Sequence, residues 1–213
     1  MRAAFALFAL LSVSSTAQTT AASKSFLIAD VHTSPFTANP AVTHAEAAAR
    51  VSAIVAPANI NSPNQIVISG SRAAVELAAE RCKEAGAKRA VMLPVSGPFH
   101  SALMQPAQDS LATTLESIAF HDPAFPVAAN ADARLLTRGP EVRDALIRQV
   151  TAPVRWVECI QLLAKTGATQ FIEVGPGKVL SGLNRQIDKA LLTTNVEDPA
   201  SLEATLTALT TTP

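Results

Sequence analysis

The chain has 213 residues, 48% hydrophobic and 16% charged, which allows one substantial core or two small ones and excludes a disordered composition. Lys+Arg and Asp+Glu both number 17, so no global field draws the chain to nucleic acid or to an anionic membrane. An acidic partner would have to meet a local basic patch.

Met1-Arg2 precedes an apolar run from Ala3 to Val13 and the small residues Ser14 to Gln18. A basic start, a short apolar stretch and small residues fit a signal-like leader over 1–22, with an accidental apolar start as the equal alternative. The run is too short for a membrane span, which needs about 20 residues. Residues 23–44 read as a linker or unrelated segment, although Ser25–Val31 has the pattern of one strand; Pro35, Asn39 and Pro40 then break regular structure.

Patterning strengthens from Ala45. Val51–Ala58 and Gln65–Ser69 are predicted strands around a turn at Asn59–Asn64. Ser71 is placed to cap a helix with Val75, Ala78, Ala79 and Cys82 on one face, ended by Gly86. Lys88–Leu93 is a further strand. This order predicts a small α+β unit of split-βαβ type over 45–97.

His100 follows at the end of Leu93–Phe99, just past the carboxyl end of a strand, where α/β folds place their sites. Leu103, Ala107, Leu111, Leu115 and Ile118 then mark an amphipathic helix. Pro126–Ala131 is a short strand. Pro140–Val150 and Pro153–Lys165 are helices, with Pro153 at a first helical position. Gln170–Val174 is a strand that enters Gly175-Pro176-Gly177, a loop whose glycines permit close backbone approach and whose helix start offers free N–H groups. A strand near Ala190–Val196 and a helix at Ser201–Leu209 follow. The alternation predicts a parallel α/β sheet. Cys82 and Cys159 sit in helical patterns and read as buried thiols, not a disulfide framework. No cluster has metal-ligand spacing, so no metal is expected.

Four stretches occur together in one order: Asn59–Gly70; Leu93–Met104 around His100; Arg143–Gln149 with Pro153–Trp156; and Glu173–Leu183. On these residues the chain, from about Ala45 to Leu209, resembles the carboxyl-terminal half of the malonyl-CoA:acyl-carrier-protein transacylase family. The resemblance implies a partial α/β-hydrolase-like parallel sheet over 98–213 with an incomplete ferredoxin-like small subdomain over 45–97. It implies an acyltransferase of fatty acid biosynthesis, cytoplasmic, with no cofactor. The malonyl group would pass from malonyl-CoA, the coenzyme A thioester, to a serine and then to the phosphopantetheine thiol of acyl carrier protein. His100 corresponds to the general base, and Gln149 to the residue whose main-chain carbonyl orients it. Asn61 corresponds to a position beside the substrate. Lys88 and Arg89 correspond to a basic edge for the acidic carrier protein, or are equally a solvated strand end.

The family serine sits in a Gly-x-Ser-x-Gly elbow, and no such pattern occurs in these 213 residues. The family's malonyl-pairing arginine and its glutamine near the oxyanion hole likewise find no counterpart. Ser96 and Ser101 flank His100 but have no oxyanion site. The small subdomain's first strand is also missing from 45–97, with Phe26–Val31 as a candidate substitute. The expectation is therefore a truncated transacylase that does not carry out the transfer alone. The alternatives are a non-catalytic module that binds acyl carrier protein and, on the leader alone, an exported protein of unrelated role.

Overall fold

The computed structural model describes residues 24–30, 54–95 and 97–211. The leader at 1–22, most of the 23–44 segment and Ser96 lie outside the described residues. The fold is mixed α/β.

The first layer is a four-stranded antiparallel sheet. Its strands are β1 (Lys24–Asp30), β2 (Val55–Ser62), β3 (Gln65–Ser71) and β4 (Arg89–Leu93), in the order β2-β3-β1-β4. β1 is the strand patterned at Ser25–Val31. It lies between β3 and β4, with Phe26 opposite both Ser69 and Leu93. β2 begins at Val55, with residues 51–53 of the expected strand outside the described residues, and runs on to Ser62, so the turn shrinks to Pro63-Asn64. The close pairing of β2 with β3 needs Gly70, where a Cβ would stand 2.0 Å from the Ile54 carbonyl oxygen.

Helix α1 (Arg72–Glu84) covers this sheet with Ala74, Val75, Ala78 and Ala79, which pack on Val55 and Ile68. Each is deeply buried, the condition under which apolar area stabilises most. Ser71 occupies the N-cap position, but its hydroxyl makes no capping bond. Cys82 is half-buried on the same face, not fully buried.

After β4 the chain enters the His100 turn, a single 3-10 turn (Ala102–Met104) and α2 (Gln105–Glu116). Only Leu115 of the expected apolar stripe is buried, while Leu103 and Ile118 are exposed. Periodicity marks which face is apolar; whether another element lies against it is a tertiary matter. A hairpin of β5 (Val127–Ala129) and β6 (Arg134–Leu136) precedes α3 (Gly139–Arg148). β6 gave no sequence signal, being three residues long and entered through Ala133 at a φ of 49°.

Helix α4 (Trp156–Lys165), β7 (Gln170–Val174), α5 (Val179–Ile187), β8 (Leu192–Val196) and α6 (Pro199–Thr211) complete the chain. Trp156, Ile160, Leu163, Phe171 and Leu183 form a second core here. β7 and β8 are parallel, and among the described residues they are the only parallel pair of strands. The expected parallel sheet is thus two strands wide, because β5 pairs locally with β6. No helix of the described residues is long and apolar enough to cross a membrane.

The two halves meet along β2. Ile60 N–H donates to the Val154 carbonyl, and Val154 N–H donates to the Ala58 carbonyl, each at 2.8 Å. The fully buried Ser62 hydroxyl donates to Gln186 Oε1 of α5 at 2.8 Å. Pro153 is therefore not a first helical residue: it lies between a bend at Ala152 and the bridge of Val154 to β2, and the helix starts at Trp156.

Candidate active site

His100 stands in a turn with a φ of 57°, the left-handed region that side chains with a Cβ rarely adopt. The turn is closed by Ser101, whose fully buried hydroxyl donates to the Pro98 carbonyl at 2.7 Å. A buried hydroxyl committed to a carbonyl is no candidate nucleophile.

From this turn the His100 ring reaches across to the end of α3. Its Nδ1 lies 2.9 Å from the Gln149 carbonyl oxygen and 3.0 Å from that of Ala152. Carbonyl oxygens only accept, so Nδ1 must carry its hydrogen. The neutral ring then holds its lone pair on Nε2, the tautomer a general base needs. The acceptors exist because α3 ends here: Gln149 is its C-cap, and carbonyls of a last helical turn lack intrahelical partners.

Asn61 lies near the end of β2, its Nδ2 donating to Gln65 Oε1 at 3.0 Å. It follows Ile60, which bonds Val154, and Val154 follows Ala152 by two residues. The strand carrying Asn61 is thus tied to the segment that holds His100. Lys88 and Arg89 are exposed, at the entry to β4, on the edge of the sheet opposite β2.

The Gly175-Pro176-Gly177 loop differs from expectation. Gly175 and Gly177 have φ values of 137° and 87°, as a tight turn requires. The helix start beyond them is already filled. Glu173 accepts from Leu180 N–H at 3.0 Å, from Ser181 N–H at 2.8 Å and from the Ser181 hydroxyl at 2.7 Å. Gly177 N–H donates to Glu197 Oε2 at 2.8 Å. These carboxylates occupy the donors that an anionic ligand would use.

Sequence reasoning missed Ala152, which acts through its backbone and has no side-chain signature. It also missed Glu173 and Glu197. Glu173 stands two residues before the Gly175-Pro176-Gly177 turn, and no local signature ties it to amides seven and eight residues further on.

Below α3, Asp132 joins α3 to the β5–β6 hairpin. It forms ion pairs with Arg148 and with Arg134, the latter at 3.4 Å. Desolvation pushes the Asp132 carboxyl up, but the hydrogen bonds and charges of the two arginines more than reverse this and hold it below its ordinary value.

The family model described as "Acyl transferase domain" matches residues 3–201. The chain belongs to the acyl transferase domain family. The match extends upstream of Ala45 and takes in β1. Among curated relatives, the malonyl CoA-acyl carrier protein transacylase of Haemophilus influenzae is 48% identical over 166 residues, covering 78% of this chain and 53% of the relative. That of Bacillus subtilis is 47% identical over 156 residues, covering 73% and 49%. This acyl transferase chain thus spans about half the length of the curated relatives it matches. A solved acyl carrier protein S-malonyltransferase from Vibrio cholerae superposes with a TM-score of 0.80 at 45% identity, covering 86% of this chain and 58% of that one. A malonyl-transacylase solved in complex with its type II PKS acyl-carrier protein superposes at 0.81 and 41%, covering 88% and 59%.

Proposed function

We propose that this acyl transferase domain contributes the general-base half of a malonyl transfer from malonyl-CoA to the phosphopantetheine thiol of acyl carrier protein, a step of fatty acid biosynthesis. The observation that carries the reading is the hold on His100: two carbonyls on Nδ1 leave Nε2 as the basic nitrogen. In the first half-reaction Nε2 takes the serine proton as the serine oxygen attacks the malonyl thioester carbonyl, and returns it to the departing coenzyme A thiolate. In the second, Nε2 takes the proton of the incoming thiol. The thiolate attacks the malonyl-serine ester, and the serine leaves with that proton. Gln149 orients the ring, and Asn61 lies on the substrate side of β2.

The fold supports the same reading. We take the order β2-β3-β1-β4 with α1 as the ferredoxin-like small subdomain, built from β1 and the described part of 45–97. The remainder, 98–213, with the parallel β7–β8 pair, is part of an α/β-hydrolase-like large subdomain.

No Gly-x-Ser-x-Gly occurs in these residues, so the chain alone forms no malonyl-enzyme. Incubation with malonyl-CoA followed by intact mass measurement is expected to show no adduct; a stoichiometric adduct would overturn this. Mixing with a polypeptide carrying the elbow half of the Haemophilus influenzae relative is expected to give transfer to acyl carrier protein that is lost in His100→Ala. Transfer indifferent to that substitution would remove His100 from the role of base.

Exposed Lys88 and Arg89 are assigned to carrier-protein docking. Titration with acyl carrier protein at low salt is expected to show binding that weakens in the double variant Lys88→Glu/Arg89→Glu and in high salt. Equal binding by both chains would refute the assignment.

A further inference from the structure

We infer that Pro153 is a positioning residue for His100: it holds the Ala152 carbonyl on Nδ1 and couples the imidazole to strand β2. The inference rests on the reading of His100 as base and deepens it.

The Ala152 carbonyl lies as near to Nδ1 as that of Gln149, 3.0 Å against 2.9 Å, so one N–H is shared between two acceptors. Ala152 N–H still closes the last turn of α3 by donating to the Arg148 carbonyl at 3.0 Å. Without an interruption the next residues would extend that helix and point their carbonyls along its axis. Proline at 153 prevents this in two ways. It has no N–H to continue the ladder, and its ring disfavours the helical region for the preceding residue. Ala152 stands at a bend beyond the end of α3, and its carbonyl lies 3.0 Å from His100 Nδ1.

The segment beyond Pro153 is fixed as firmly. Val154 is clamped on both sides by β2, through Ile60 N–H and the Ala58 carbonyl, and Arg155 N–H donates to the Asn130 carbonyl at 3.0 Å. Pro153 therefore lies between a helix end and a strand clamp. A shift of β2, which carries Asn61, is passed through Val154 and Pro153 to the Ala152 carbonyl and so to the ring.

The test reads the imidazole rather than turnover, so its failure is distinguishable from failure of the proposed activity. Nitrogen-15 correlation spectra of the chain, recorded in alkaline buffer, report which ring nitrogen of His100 carries hydrogen. The unmodified chain is expected to show a single Nδ1–H tautomer. Pro153→Ala is expected to lose that single state and gain a second set of ring resonances from the Nε2–H tautomer. Pro140→Ala, a proline change at the other end of α3, is expected to leave the ring unchanged. A single Nδ1–H tautomer in Pro153→Ala would overturn the inference, as would an equal mixture in both proline variants. Should Pro153→Ala fail to fold, amide exchange of the unmodified chain decides. Ile60 and Val154 are expected to exchange slowly and together, and fast exchange at either one would overturn the coupling to β2.

Discussion

Ser101 donates its buried hydroxyl to the Pro98 carbonyl at 2.7 Å and so closes the turn in which His100 is held at a positive φ. The bond stabilises the turn by satisfying a carbonyl where water does not reach. Ser101→Ala is expected to lower stability by about 1–2 kcal/mol, read from the urea midpoint at unchanged slope. A change within error would mean that the turn is held by the packing of Pro98 alone.

The backbone of His100 makes a separate prediction. Removing the ring forfeits the bonds to Gln149 and Ala152 in any replacement. Alanine also keeps the left-handed strain, which glycine does not feel. His100→Gly is therefore expected to be more stable than His100→Ala by about 1 kcal/mol, the reverse of the order in an ordinary helix. Paired thermal melts measure this, and alanine as the more stable variant would exclude strain at this position.

Glu173, on β7, accepts from the first turn of α5 and satisfies two amides and the buried Ser181 hydroxyl with one carboxylate. Glu173→Ala leaves all three donors without it and is expected to cost about 3 kcal/mol. Glu173→Gln keeps one acceptor oxygen and should cost less. Chemical denaturation of both variants checks the order; equal losses would mean that the acceptor oxygen an amide retains contributes nothing.

The two thiols should separate by chemistry. Burial, aided by the Glu158 charge, pushes the fully buried Cys159 thiol up to about 11 from an ordinary 9.0. Burial also raises half-buried Cys82. Iodoacetamide near pH 8 is expected to alkylate Cys82 first, which peptide mass mapping resolves. Because the folded value of Cys159 lies above the unfolded one, its contribution to stability is complete below about pH 9 and is lost as pH rises through about 11. Melting temperatures across that window should fall less steeply in Cys159→Ala than in the unmodified chain. Parallel slopes would assign the alkaline loss to other groups.

Particular residues mark how far sequence reading reached. Val75, Ala78 and Ala79 were legible as a buried helix face, and Gln170–Val174 as a strand, because each repeats with the period of its own element. Leu103 and Ile118 belong to an equally periodic stripe and yet stay exposed. Pro153 was misplaced because its ring suits a helix start as well as an extended segment, and only the bonds of Val154 to β2 decide between them.

By itself the sequence determined the order of most elements, the apolar faces and the motifs around His100 and Gln149, since these depend on local periodicity and residue chemistry. The tertiary structure alone decided that β1 enters the sheet between β3 and β4, that Glu173 and Glu197 fill the donors of the Gly175–Gly177 loop, and that His100 Nδ1 is shared by the Gln149 and Ala152 carbonyls. The physical reason is common to all three. Each rests on hydrogen-bonding groups seven or more residues apart, among them backbone carbonyls that every residue carries alike, so local periodicity does not announce them until the fold brings them together.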